Sequence, residues 1–191
     1  INGDVRDDET VKHAVEGCVQ IYHLAAYLGV DIVAENPVEA METEVIGFRN
    51  IANSAILHGI EKIIYVSTSG VYGKTSINMA VDEEFNTSPN SSYAIAKRYN
   101  EIYLQSLYFE KKLQSCSLRY FNVYGPRQDQ RMVIPRFFES ALSDEPLRVF
   151  GTGEQTRDFT YIDETIDATI LAAEKVNGCE ILNVARGAEC S

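Results

Sequence analysis

The segment KIIYVSTSGVYG, residues 62–73, decides the fold class. It opens with β-branched and aromatic side chains, which is typical of a buried strand over residues 62–69. Ser67, Thr68 and Ser69 end that strand, although hydroxyls in such places often bond only their own backbone. Because open parallel sheets bind ligands at the carboxyl ends of their strands, this end is the first candidate for a site.

Strands and helices alternate on both sides of this segment. Upstream, residues 19–26 predict a strand. Residues 36–59 predict a helix, with Asn36 as its cap, Pro37 in its first turn and Gly59 as its stop. The two elements together form one strand–helix unit.

Downstream, a loop through Pro89 leads to a helix that carries Tyr93 and Lys97, and residues 115–125 predict a third strand. Crossovers of this length demand parallel strands. Beyond Pro126 the elements shorten, in the order helix 134–142, strand 147–151, strand 159–163, helix 163–175 and strand 180–185. We therefore predict an α/β fold with a doubly wound parallel sheet of the Rossmann type, decorated in its later half.

Charge and cysteine usage exclude several classes of partner. The 191 residues include 17 basic and 28 acidic side chains, and the net charge of −11 repels nucleic acid and anionic membranes on average. No apolar run approaches the roughly 18 residues of a transmembrane helix. The 4 cysteines and 3 histidines show no metal-ligand spacing and no disulfide-like density. We predict a cytoplasmic protein with no metal, nucleic-acid or membrane partner.

Tyr93 and Lys97 are the candidate pair for acid–base chemistry. Four positions apart on a helix, their Cβ atoms lie about 5–6 Å from each other on one face. The spacing is common in soluble helices, so alone it is a weak signal. Its weight comes from small or polar residues that end all three predicted strands, namely Ala25 and Ala26, Thr68, and Asn122. Core packing explains the two alanines equally well.

Seven motifs in a fixed order carry a family resemblance. They are GDVRD (3–7), HLAA (23–26), STSGVYG (67–73), YAIAK (93–97), LRYFNVYGPRQ (118–128), VIPRF (133–137) and GTGEQTRDFTYID (151–163). In this order and spacing the chain resembles the extended short-chain dehydrogenase/reductases, in particular their nucleotide-sugar epimerase/dehydratase group. Each motif is weak by itself, but together they cover essentially the whole chain.

The resemblance implies a mechanism with NAD as cofactor and a nucleotide sugar as substrate. Tyr93 would take a proton from a sugar hydroxyl, Thr68 would align that hydroxyl, and hydride would pass to NAD and back. A free tyrosine ionises near pH 10, and we expect the Lys97 ammonium to lower that pKa. The expected activity is epimerisation through a keto sugar, of the UDP-hexose 4-epimerase type.

The resemblance also implies binding roles, domains and assembly. Residues 1–125 would form a partial dinucleotide-binding domain, and residues 126–191 a substrate-binding part interleaved with the last elements of the sheet. The expected cofactor contacts are Asp4, Val5, Leu24, Ala25, Ala26, Tyr93, Lys97 and Phe121. The expected substrate contacts are Thr68, Asn122, Val133, Val149, Phe150 and Arg157. For Arg157 the alternative is a surface ion pair with Asp158. Family members are commonly homodimers through the helix that holds Tyr93, although the same aromatic pattern also fits a face buried within one chain.

Two departures from the family pattern bear on activity. Ser69 and Gly70 stand where 4,6-dehydratases usually carry Asp-Glu and decarboxylases a Glu in the second place. The acid and base for water elimination are then missing, which favours an epimerase. Glu44 stands where relatives usually have Asn, and its carboxylate cannot donate the hydrogen bond to a cofactor that an amide would.

A further departure concerns the Gly-rich turn that a dinucleotide fold needs between its first strand and helix. The only G-x-G, at Gly151, lacks the third glycine and precedes a strand. We expect a fragment with about two strand–helix units missing upstream and a short tail missing downstream, which binds no NAD alone. The alternatives are a decarboxylase or keto-sugar reductase on the same scaffold, or a non-enzymatic NAD-binding regulator. Loss of Tyr93 or Lys97 would have favoured the regulator, but both are present. The sugar, the nucleotide and the epimerised carbon stay open.

Overall fold

A computed structural model describes residues 1–27, 30–76, 79–149 and 151–190. Its strands are β1 (Gln20–His23), β2 (Lys62–Thr68), β3 (Gln114–Tyr120), β4 (Asn122–Tyr124), β5 (Arg157–Tyr161), β6 (Cys179–Val184) and β7 (Glu189–Cys190). Four of them form a parallel sheet in the order β1-β2-β3-β6. The predicted α/β fold with a parallel sheet is confirmed.

Helices cover both faces of this sheet. They are α1 (Asp8–Val15), α2 (Val30–Glu35), α3 (Pro37–Met41), a π-helical turn (Glu42–Ile46), α4 (Gly47–Leu57), a 3₁₀ segment (Ser69–Ser76), α5 (Ser92–Lys111), α6 (Val133–Leu142) and α7 (Ile162–Lys175). Because successive strand residues point to opposite faces, Ile63 and Tyr65 join the core formed with α1, α4 and α5, whereas Ile64 joins the core with α7. No helix among the described residues is long and apolar enough to cross a membrane.

A second, smaller sheet stands beside the carboxyl end of the first. In it β4 pairs with β5 in parallel, and β5 pairs with β7 antiparallel. The strand predicted over 115–125 is therefore two strands in two sheets. The break falls at Phe121, whose N–H still donates to the oxygen of Val184 in β6 at 3.1 Å, after which Asn122 pairs with Phe159 in β5.

Other boundaries differ from prediction. Residues 147–149 of the predicted strand 147–151 are exposed and form no strand, and Phe150 lies outside the described residues. The strand predicted at 159–163 begins and ends two residues earlier, because α7 starts at Ile162. Neither α1 nor β7 was predicted, although Asp7 caps α1 by accepting from the N–H of Glu9 at 3.1 Å.

The helix predicted over 36–59 is a continuous helical run of three segments, in which a π-helical turn joins α3 to α4. Asn36 precedes α3 as predicted, but its side chain makes no cap bond and donates instead to the oxygen of Ile32 at 3.1 Å. Gly59 follows the end of α4 with φ of 66°, a conformation that glycine adopts without strain, so the predicted stop is confirmed.

Candidate active site

A cavity of about 750 Å³ lies at the carboxyl ends of β1, β2 and β3, next to the start of α5. This is the edge where an open parallel sheet binds ligands, and the volume suits a small organic molecule. Its lining brings together eight of the residues predicted from the sequence: Leu24, Ala26, Thr68, Tyr93, Lys97, Phe121, Asn122 and Val133.

The start of α5 places Tyr93 and Lys97 over the end of β2. Ser91 has an extended backbone and its hydroxyl accepts from the N–H of Ala94 at 3.2 Å, which caps the helix. The loop before it is tied back where the N–H of Ser88 donates to the oxygen of Val71 at 2.9 Å. Gly73 makes that close approach possible, since a Cβ there would lie 1.9 Å from the oxygen of Ser88.

Lys97 is fully buried and its ammonium lies among aromatic rings and one carboxylate. Nζ is 2.9 Å from Oε2 of Glu44, 4.9 Å from the ring centroid of Tyr65 and 5.4 Å from that of Tyr93. Within the described residues, neither Nζ nor Oε2 has a hydrogen-bond partner in good alignment. The ammonium therefore keeps donors for a ligand in the cavity, and the hydroxyls of a cofactor ribose fit that requirement.

Glu44 reaches this place from the π-helical turn. A π turn fits one extra residue into the helix and is frequent at functional sites. Oε1 of Glu44 accepts from the N–H of Tyr27 at 3.0 Å, and its backbone oxygen accepts from Nδ2 of Asn100 at 2.9 Å. The sequence marked Glu44 as a departure, but not its contact with Lys97, which lies 53 positions further along the chain.

Burial and the charge of Glu44 together keep Tyr93 protonated. Burial, and then the negative charge of Glu44, raise the pKa of Tyr93 well above its usual value. Burial lowers the pKa of Lys97, although Glu44 opposes the shift, and burial together with Lys97 lowers the pKa of His23 to about 3. The prediction that Lys97 lowers the pKa of Tyr93 is wrong for this arrangement, because burial and then the charge of Glu44 raise that pKa.

The three hydroxyls at the end of β2 have different tasks. Oγ1 of Thr68 accepts from the N–H of Gly70 at 3.1 Å and faces the cavity. The hydroxyl of Ser67 donates to Oε1 of Glu101 at 2.6 Å and is buried. Ser69 is not part of the cavity lining. Ser67 also borders the cavity, but its proton is donated to Glu101, so Thr68 is the hydroxyl that can donate to a ligand there.

A buried ion network supports the floor of the cavity. Glu101 accepts from Nε and Nη2 of Arg119 at 3.0 and 2.9 Å, and from Nη1 of Arg98 at 2.8 Å. Nη1 of Arg119 also donates to the hydroxyl oxygen of Tyr72 at 2.8 Å. The network ties β2, β3, α5 and the 3₁₀ segment together beneath Thr68 and was not predicted from the sequence.

The second sheet supplies the far wall of the cavity. Nδ2 of Asn122 donates to the oxygen of Asp158 at 3.0 Å, which fixes the amide at the rim. Gln128 also lines the cavity and was not singled out from the sequence. Its Nε2 donates to the oxygen of Val123 at 2.7 Å, while its buried Oε1 has no hydrogen-bond partner in the part of the chain that the structure describes.

Several predicted contact residues lie outside the cavity lining. The carboxylate of Asp4 is held by Arg6, whose Nη2 is 2.6 Å from Oδ2. Arg157 is exposed and donates to the oxygen of Thr156 at 2.7 Å, and no ion pair with Asp158 occurs among the described residues. The others are Val5, Ala25 and the exposed Val149, and Phe150 is not described. Their predicted roles stay predictions.

Comparison with known proteins places this geometry in a family. A model described as the NAD dependent epimerase/dehydratase family matches residues 1–185. The chain belongs to this family. The predicted resemblance is thereby confirmed, and members of the family are enzymes that act on nucleotide sugars.

Individual relatives differ in activity. Over 94% of its length the chain is 42% identical to the UDP-N-acetyl-alpha-D-glucosaminuronate decarboxylase of Bacillus cytotoxicus, and it covers 58% of that protein. A UDP-N-acetylglucosamine 4-epimerase from Methanobrevibacter ruminantium, in complex with UDP-N-acetylmuramic acid, is 34% identical with a TM-score of 0.93, and the chain covers 62% of it. The Thermus thermophilus UDP-glucose 4-epimerase complex with NAD is 31% identical, with a TM-score of 0.89 and 63% of its length covered. All of this chain matches the first structure and 98% the second.

Proposed function

We propose that these residues form the catalytic part of an NAD-dependent nucleotide-sugar 4-epimerase that acts on a UDP-hexose. The observation that carries the proposal is the cluster of Thr68, Tyr93 and Lys97 in one cavity, with Ser69 and Gly70 in place of dehydratase acids. Family membership supports the reaction class, and an epimerase with NAD among the similar structures supports the specific activity.

The side chains have separate roles in this proposal. Bound NAD would supply a reversible acceptor for the hydride of the sugar carbon. The hydroxyl of Tyr93 exchanges a proton with the sugar hydroxyl on that carbon. Thr68 donates its hydroxyl proton to the same hydroxyl, while its oxygen accepts from the N–H of Gly70. Lys97 donates to the ribose of the cofactor, and the small side chain of Ala26 leaves room for it.

The remaining contacts concern the nucleotide. Asn122 and Val133 border the cavity on the side of the second sheet. Arg157 would bind the substrate diphosphate, for which a forked guanidinium is suited, and Val149 and Phe150 would contact the base. Asp4 and Val5 would contact the adenine of the cofactor.

Decarboxylation is the second candidate, favoured by the 42% identity to the Bacillus cytotoxicus enzyme. A uronate substrate brings a carboxylate, which needs a cation or several donors in the cavity. Among the described residues of the lining, Lys97 is the only basic side chain of Lys or Arg type, and Glu44 offsets its charge. This electrostatic balance favours a neutral hexose.

The direct test uses the full-length product of the gene. It is incubated separately with UDP-galactose, UDP-N-acetylglucosaminuronate and dTDP-glucose, and products are identified by NMR and mass spectrometry. We expect conversion of UDP-galactose to UDP-glucose without added oxidant. Release of CO₂ from the uronate with no epimerisation would establish the second candidate, and formation of a 4-keto-6-deoxy sugar would contradict both.

We also propose a homodimer through α5. Ile95, Tyr99 and Ile102 form one stripe on this helix and are each about half exposed, at 47%, 50% and 52%. Leu104 and Leu107 form the opposite, buried face. The helix therefore has an internal apolar face and a separate apolar stripe that a second copy could cover.

A further inference from the structure

Glu44 is a buried carboxylate beside the residues that exchange protons. It is 1% exposed, and Oε2 lies 2.9 Å from Nζ of Lys97. Its other oxygen is held by the N–H of Tyr27 at 3.0 Å, so the carboxylate cannot rotate away without losing that bond. The proposed reaction, as argued above, assigns no role to this side chain.

Burial strengthens the effect of the Glu44 charge on neighbouring side chains. Solvent does not screen a carboxylate in the interior, so its field reaches the neighbouring phenol at low dielectric. The Lys97 ammonium stands over the ring of Tyr93, at 5.4 Å from its centroid, while it pairs with Glu44. The ion pair brings no net charge, and removal of the Tyr93 proton would place a second negative charge beside Glu44.

We propose that Glu44 is a positioning residue, which holds the Lys97 ammonium over the ring of Tyr93 and adds its own negative charge beside that phenol until a bound ligand brings positive charge into the cavity. Tyr93 would then become a base only in the presence of the oxidised cofactor. Without it, the protein would not remove protons from sugar hydroxyls. The inference rests on the proposed function only for the identity of Tyr93 as the group that exchanges the proton.

The other titratable groups around this cluster do not supply the positive charge that the bound ligand would bring. His23 faces Lys97 from β1 and is neutral above pH about 3. Tyr65, from β2, has its pKa raised by burial and is also neutral. Glu101, from α5, is paired with Arg119 and Arg98. Glu44 and Lys97 are thus the two charges that matter in the described surroundings of Tyr93.

A single-site titration tests the proposal on the full-length gene product, prepared without cofactor. Tyr93 is replaced by 3-nitrotyrosine, whose phenol titrates near neutrality and whose anion absorbs visible light. We expect its pKa to lie above that of free 3-nitrotyrosine. The variant Glu44→Gln should lower this pKa by about one unit or more, because a nearby like charge is removed. Glu42→Gln is the matched control, since Glu42 lies on the same helical turn but is exposed, and it should leave the pKa unchanged.

The double variant Glu44→Gln, Lys97→Met keeps the test usable if Glu44→Gln alone does not fold. Glu44→Gln alone leaves an unpaired buried ammonium, whereas the double variant removes both charges. It should still lower the nitrophenol pKa, by a smaller amount, because Glu44 is the charge that dominates at Tyr93. Circular dichroism identifies which variants are folded.

Either of two results would overturn the proposal: a pKa at or below the free value in the chain with Glu44, or no decrease in a folded variant that lacks it. The titration requires neither cofactor nor turnover. If it behaves as expected while the full-length gene product converts no nucleotide sugar, the proposed function fails and the role of Glu44 stands. If the full-length gene product converts a nucleotide sugar but the titration fails as described, only the role of Glu44 is rejected.

Discussion

Tyr93 shows how strongly one residue depends on its neighbours. Its spacing from Lys97 was visible in the sequence, and α5 does bring both side chains to one cavity. The direction of the pKa shift was not visible, because it depends on burial of the phenol and then on the charge of Glu44, which arrives from a different helix. A pairing between distant positions follows from tertiary packing, so no local pattern could have predicted it.

Tyr93→Phe removes the proton that the proposed reaction moves and leaves the ring in place. We expect turnover of UDP-galactose by the full-length gene product to fall by about 10²–10⁴-fold, the usual contribution of a positioned acid–base group. Substrate binding, measured by calorimetry, should be retained. Tyr108→Phe is the matched control, since Tyr108 lies on the same helix but outside both the cavity lining and the exposed apolar stripe. Near-normal turnover of Tyr93→Phe would exclude Tyr93 from catalysis.

Glu101 should make stability depend on pH. Burial opposes its ionisation, but hydrogen bonds from Arg119, Ser67 and Arg98 outweigh burial and hold its pKa below the ordinary value. A depressed carboxyl pKa stabilises the fold above the unfolded value, near 4.3, and that contribution disappears as the pH falls through the folded value.

Glu101→Gln should therefore destabilise the chain by about 3–5 kcal/mol at pH 7, because it leaves Arg119 buried without its counter-charge. The difference from the unsubstituted chain should narrow as the pH falls below about 4. Urea unfolding at a series of pH values measures both effects. The exposed Glu110 on the same helix provides the control substitution Glu110→Gln. A difference that is the same at every pH would contradict this account of Glu101.

Among the elements, those with strong periodicity or a clear stop were predicted well. The parallel strands, α5, α6 and the Gly59 stop all agree with the sequence patterns. The errors lie where one continuous pattern serves two structures. Residues 115–125 were predicted as one strand, but hydrogen bonding to two different partners divides it at Phe121. Residues 147–149 suggested a strand but form none.

The site was predictable to the extent that motifs lie at the ends of elements. Thr68, Asn122 and the start of α5 meet at one edge because parallel strands end on the same side of the sheet. Gln128 and the Arg119 network were missed, since their importance comes from burial and from partners far away in the chain. A buried arginine in a strand was a usable signal, because a charged side chain in such a place needs a partner.

Gly73→Ala should weaken the junction between β2 and α5. The new side chain would have to adopt φ of 68° and would meet the oxygen of Ser88. We expect a loss of about 1–3 kcal/mol in the free energy of unfolding, measured with urea. Gly70→Ala is the control, since a Cβ there meets its neighbours at 3.4 Å or more. Equal stability of the two variants would show that the close approach to Ser88 is not needed.

At the scale of the molecule, the two sheets meet where the cavity lies. The parallel sheet contributes Thr68, next to Tyr93 of α5, on one side of the cavity. The second sheet contributes Asn122 on the other side. The chain spans 58–63% of the length of the relatives compared. Activity and substrate are accordingly proposals for the full-length product of the gene.

Self-association tests the use of the α5 stripe. We expect the chain to be a dimer by light scattering after gel filtration. Ile102→Asp should shift it to monomer, because a carboxylate would be buried at the interface without a partner. Ile166→Asp is the control, since Ile166 on α7 is similarly exposed, at 47%. A monomeric unsubstituted chain, or a dimer that tolerates Ile102→Asp, would contradict the stripe as an interface.

The central claim is that Thr68, Tyr93 and Lys97 serve a reversible transfer of hydride at one carbon of a UDP-hexose. The most direct measurement gives the full-length gene product UDP-galactose that carries deuterium on C4 and follows the label by NMR. The account predicts UDP-glucose that retains the deuterium on C4, because the same hydride leaves and returns while only the hydroxyl proton passes through Tyr93. Loss of the label to water, or no conversion by the folded protein, would contradict it.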